Sequence, residues 1–160
     1  MNTPESDTCG HNIVHLQGNT MRSTPLSGAR FLALRLLPGD DVLPVLRKYV
    51  QQHNLQSAFI AGCVGSLTDV ALRFAGQENT DYLTGKFEIV SLIGTLDAQD
   101  EHLHLCVSDE NGHTRGGHAM PGCTVRTTLE LIIGELEQVI FTREMCPLSG
   151  YEELVVTPKP

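Results

Sequence analysis

Apolar positions along this chain fall into short runs broken by Gly, Pro and Asn, with a single stretch at helical spacing. Residues 29–37 read as a strand stopped by Pro38-Gly39. In residues 42–53, Val42, Leu43, Leu46, Tyr49 and Val50 recur three and four apart, which predicts a helix of about three turns. Asp40 or Asp41 stands where a short acceptor can satisfy the free amides of its first turn. Pro44 lies in that first turn, where a missing N–H costs little, and Asn54 closes the helix.

Beyond the helix the pattern is that of a sheet. Strands are expected over residues 57–64 and 67–74, separated by a break at Gly65-Ser66, with a polar loop over 76–84. Further strands are expected over 87–96, 102–107, 125–133, 137–144 and 152–156, and Leu131-Ile132-Ile133 suggests burial on both sides. This pattern predicts an α+β fold: an antiparallel-dominated mixed sheet of about seven or eight strands with one main helix packed on it. Residues 1–27 lack sustained periodicity and are read as a mobile leader, so a single domain is expected over 28–157.

One segment carries chemistry. In Glu101-His102-Leu103-His104-Leu105-Cys106, His102 and His104 are two apart and share a face, while Leu103 and Leu105 turn to the core. The position of His118 depends on the turn between. A two-residue Asn111-Gly112 turn would put His118 opposite Leu105, on the wrong side. Asp109-Glu110-Asn111-Gly112, however, has Asp first and Gly fourth, as type I turns prefer, and Gly112 suits the left-handed position of a three-residue loop. That register pairs Asp109 with His113 and sets His118 opposite His104, with Gly116-Gly117 beside Cys106 and Leu105.

Three converging neutral imidazoles form a site for zinc or another divalent metal, with a fourth position open to water or substrate. An HxH pair on a half-exposed strand also occurs as a plain polar patch, and both readings stay open on the residues alone. Glu101, Glu88 and Glu130 are candidates for an added carboxylate. Cys106 is assigned to the core, facing away from His104, and His11, His15, His53 and His113 to the surface. Arg126 and Glu130 read as a solvated ion pair or, less favoured, as the border of a cleft.

Charge and composition narrow the function further. A net charge of −8, with 11 Lys and Arg residues spread along the chain, disfavours direct nucleic-acid binding. The longest apolar stretches fall far short of the run of about 20 that spans a bilayer. Five cysteines without CxxC spacing argue for free thiols and a reducing compartment, hence a cytoplasmic or nuclear protein.

The ordered set of strand, helix, Gly-rich strand pair, Gly85-Lys86-Phe87-Glu88-Ile89-Val90, His102-x-His104, Asp109-x-Asn111-Gly112, Gly116-Gly117-His118 and residues 125–133 resembles the PPC domain, conserved between plants and prokaryotes. The resemblance covers about residues 28–146. It implies a homotrimer with strands packed at the subunit interfaces and a histidine site suspected of holding a metal or small ligand. In plant members a Gly-Arg-Phe-Glu-Ile-Leu segment is associated with recruiting protein partners. Gly85, Lys86, Phe87, Glu88, Ile89 and Val90 match it, with Lys86 for Arg and Val90 for Leu. Plant members also carry an AT-hook, whose Arg-Gly-Arg-Pro core is absent from this sequence. The expected function is a trimeric regulatory or binding protein with a three-histidine site. A metal-dependent enzyme acting on a small polar substrate is the alternative, and a DNA-binding protein ranks third.

Overall fold

Residues 25–160 are described by the computed structural model, together with the backbone of two short strands before them. Those two, β1 (Ile13–Leu16) and β2 (Asn19–Arg22), pair antiparallel. The rest of the leader expected over 1–27 lies almost wholly outside the described residues, as do Cys9, His11 and the side chain of His15.

The main body follows as β3 (Ala29–Leu36), α1 (Val42–Gln52), β4 (Ala58–Arg73), β5 (Asp81–Leu96), β6 (Glu101–Ser108), β7 (Thr114–Ala119) and β8 (Thr124–Leu136). The six strands form one sheet in the order β3-β8-β4-β5-β6-β7, and every ladder in it is antiparallel. β7 also pairs with the far end of β4, so the β4–β7 segment closes on itself. A last hairpin, β9 (Val139–Met145) and β10 (Glu152–Pro158), forms a separate two-stranded sheet.

Helix α1 is where its periodicity puts it, burying Val42, Leu43, Leu46 and Val50 in the same core as Leu103, Leu105 and Val107 of β6. Its ends differ in how well they were expected. Asn54 adopts a left-handed φ of 51° just past the C-terminus, as a closing residue can. Asp41 is the N-terminal flanking residue, but its side chain makes no capping bond. A cap bonds the second or third helical N–H, and the third helical residue is Pro44, which has none. Asp41 Oδ2 accepts instead from the Gly122 amide.

The break expected at Gly65-Ser66 is absent, and residues 58–73 form one strand. Register shifts against β8 and β5 absorb the irregularity as bulges. The loop expected over 76–84 is correspondingly shorter, since β5 already starts at Asp81.

Two ion pairs fix the β5–β6 end of the sheet. Arg47 of α1 forks onto Glu101 at 2.6 Å through both Nε and Nη2, and Glu101 is buried. Arg143 of β9 donates from Nε to buried Asp97 at 3.1 Å and from Nη2 to Thr95 Oγ1 at 3.1 Å. Thr95 is the cross-strand partner of His102, so both contacts bear on where β6 begins.

β5 and β6 approach closely at Gly94, whose φ is 139°. A Cβ there would run into the His102 carbonyl oxygen and the Leu103 backbone. The Gly94→Ala variant should therefore lose about 2 kcal/mol or more of stability, through strain and forced separation of the strands. Chemical denaturation measures this, and an unchanged midpoint would contradict the packing described.

Candidate metal centre

The β6–β7 hairpin brings the three histidines together. The Asp109 amide donates to the His113 carbonyl at 3.0 Å, and the Gly112 amide donates back to the Asp109 carbonyl at 3.0 Å. Gly112 takes the left-handed conformation with φ 81°. Asp109 Oδ1 also accepts from the amides of Asn111 at 2.8 Å and His113 at 2.9 Å. This is the three-residue loop read from the sequence, and it sets His118 opposite His104, Gly117 opposite Leu105 and Gly116 opposite Cys106.

Glu101 bonds α1 and β6 alternates, so His102 and His104 face away from the helix, on the outer side of the sheet. The Nε2 atoms of His102 and His104 are 3.3 Å apart. One ring nitrogen from each of His102, His104 and His118 lies within 4.8 Å of the others, and the ring centroids are 5.0 to 5.8 Å apart. With metal–nitrogen bonds of about 2.0–2.1 Å, ligand nitrogens around a tetrahedral ion stand about 3.3–3.4 Å apart. The His102–His104 pair already meets that spacing, and His118 has a ring nitrogen within 4.8 Å of both. The donor set fits a divalent ion bound by imidazoles.

Burial, then the neighbouring His104 and Arg143, hold the His102 imidazole below its usual pKa. Burial again, then Arg73, then the other two histidines, do the same for His118. Both causes favour the neutral ring, the form that ligates metal.

The carboxylate candidates do not join the cluster. Glu101 is committed to Arg47 on the helix side. Glu88 pairs with Ser108 at the other end of β6, and Glu130 lies on β8 opposite Arg35 and Val64. Arg126 and Glu130 form no ion pair among the described residues. The placing of Cys106 is corrected: it is two residues from His104, so the two share a face, and Cys106 is half-buried rather than core. Four cysteines, Cys63, Cys106, Cys123 and Cys146, are free thiols. His53 and His113 are exposed, as expected.

Sequence reasoning missed Arg73 and Tyr151. Both line a cleft of about 610 Å³ that also takes in His104, His118, Phe74 and Glu78. Arg73 enters through the β4–β7 pairing, a long-range contact that no local pattern announces. Of the segment matched to partner recruitment, Phe87 and Ile89 are buried in the core. Gly85, Lys86, Glu88 and Val90 remain exposed.

Comparison with known proteins places the chain. A bifunctional protein GlmU from Synechococcus sp. (strain JA-3-3Ab) is 40% identical over 130 residues, 81% of this chain. The match spans only 21% of that relative's length. Among solved structures, a hypothetical protein from Salmonella cholerae-suis (Salmonella enterica) superposes with a TM-score of 0.84 at 60% identity, covering 85% of this chain and 99% of that one. A metal-containing protein from Archaeoglobus fulgidus shares the fold with a TM-score of 0.72 at 20% identity, covering 84% of this chain and 99% of its own. A protein from Bacteroides thetaiotaomicron described as a DNA-binding candidate does so with a TM-score of 0.69 at 17% identity, covering 82% and 98%. Among the described residues no helix is long and apolar enough to cross a membrane. Residues 23–137, which hold the whole six-stranded sheet, the helix and all three histidines, match one family over their full span, and the chain belongs to the Plants and Prokaryotes Conserved (PCC) domain family.

Proposed function

We propose that this chain is a metal-binding module of regulatory or ligand-binding role, holding zinc or another divalent ion on His102, His104 and His118. The observation that carries the reading is the convergence of the three ring nitrogens within 4.8 Å on the outer face of the β6–β7 hairpin. Three protein ligands leave one side of a tetrahedral ion open. Here His104 and His118 border the cleft, so the open side would meet whatever enters it. A divalent ion bound there would supply Lewis-acid chemistry, which is also what the alternative reading, an enzyme acting on a small polar substrate, requires. The metal-containing relative from Archaeoglobus fulgidus supports the metal reading through its description alone.

Self-association is the second part of the proposal. The outer face exposes Phe31, Val64, Ile93 and Ile132 at 61%, 59%, 58% and 44%. A second cleft of about 540 Å³, lined by Ala33, Cys63, Val64 and Ile132, lies on that apolar surface. An apolar patch of this kind marks an interface in a soluble protein. The homotrimer expected from the family resemblance would cover it, with the exposed Lys86, Glu88 and Val90 left for subunit or protein partners. Direct DNA binding is disfavoured by the net charge of −8.

Elemental analysis of tag-free protein should find near-stoichiometric zinc or another divalent metal, lost in the His104→Ala variant. Wild-type protein without metal under metal-replete conditions would sink the reading. In metal-free protein, NMR should show His102 and His118 neutral at pH 7 and titrating below about 6.5. The unfolded chain then takes up these protons first on acidification, so thermal stability should fall as the pH drops below about 6.5. Titration of both rings above that value would contradict the partial desolvation and neighbouring charges that lower them. Light scattering should give a trimer mass, and Ile132→Asp should shift it toward the monomer; a monomeric wild type would refute the assembly.

A further inference from the structure

Arg73 is the charged group that the metal reading leaves unused. It is the last residue of β4 and the cross-strand partner of His118, which in turn lies opposite His104 and beyond it Ile93. Directly paired residues share a face. Arg73, His118 and His104 therefore stand in one row across three strands, and all three border the cleft of about 610 Å³. Strands lie about 4.8 Å apart, so the row from Arg73 to His104 spans about 10 Å, the reach of a small molecule.

Three arginines at the sheet ends are committed, and Arg115, on the hairpin itself, does not line the cleft. Arg30 pairs with Glu135, Arg47 with Glu101 and Arg143 with Asp97. Arg73 has no carboxylate within ion-pair distance among the described residues, although Glu78 lines the same cleft. Its pairing with His118 and its place in the cleft wall set it at the site. An unpaired guanidinium inside a cleft is a donor fork without an acceptor. Its parallel N–H groups match two oxygens of one phosphate or carboxylate.

We propose that Arg73 makes this cleft an oxyanion subsite. The ligand is a small molecule whose phosphate or carboxylate sits on Arg73 and whose second polar group turns toward His104 and His118. The inference rests on the metal reading for that second anchor, and Arg73 supplies the first. Tyr151, outside the segment matched to the family, walls the same cleft and narrows what fits beside the anion.

The test is calorimetry on tag-free, zinc-loaded protein freed of excess metal, titrated separately with methyl phosphate and with acetate. At least one should bind, and R73Q should weaken it tenfold or more while zinc affinity and melting temperature hold. The tighter of the two identifies the source of the oxyanion. Equal binding to wild type and R73Q, or no binding of either anion to wild type, overturns the subsite and leaves the metal reading standing. Failure of wild type to take up zinc overturns the metal reading instead. The same two titrations on metal-free protein then decide Arg73 by itself, with anion binding lost in R73Q supporting the subsite. If R73Q melts early, R73M, which keeps the apolar stem, replaces it under the same criteria.

Discussion

The site depends on one register. Side chains on paired strands alternate with a period of two, so a slip of one residue between β6 and β7 would carry His118 to the core face. The Asp109–Gly112 turn prevents that slip. Asp109 holds four bonds at once, one through its own amide, one through its carbonyl and two through Oδ1, and Gly112 supplies the left-handed conformation that closes the loop. Those local bonds decide that three imidazoles meet.

The rest of the fold acts as a frame for this hairpin. Leu103, Leu105 and Val107 anchor β6 in the core beneath α1, which leaves the alternate positions to the histidines. Arg47 reaches from the helix to Glu101 at the first residue of β6, and Arg143 reaches from β9 to Asp97 and Thr95 at the end of β5. Each places a cation on a buried carboxylate, so loss of either arginine would strand a buried charge beside the site. β7 is held from both sides, by β6 and by the end of β4, and the second of these contacts brings Arg73 to the cleft.

How much of this was legible follows from the range of each interaction. The helix and the β6–β7 register were readable because their causes are local: apolar spacing over residues 42–50 and the Asp-x-Asn-Gly turn at 109–112. Gly65-Ser66 misled because glycine signals a turn and a bulge alike, and only the facing strand distinguishes them. The Asp41 cap failed where Pro44 removes one of the two donors it could use and the Gly122 amide takes its Oδ2. Glu101 looked available as a ligand until α1, far along the chain, claimed it. Cys106 required only the alternation rule already applied to the histidines. Arg73 and Tyr151 could not have been found from local pattern, since they reach the cleft through pairings between distant strands and a C-terminal hairpin.

The central claim is that three imidazoles, and no thiolate, hold a divalent ion on the hairpin. X-ray absorption spectroscopy at the zinc edge, on protein purified without a tag, tests it most directly. The account predicts a nitrogen and oxygen shell at about 2.0–2.1 Å with the multiple-scattering pattern of imidazole rings. A sulfur shell at about 2.3 Å, which would bring Cys106 or another cysteine to the metal, or zinc without imidazole scattering, would contradict it.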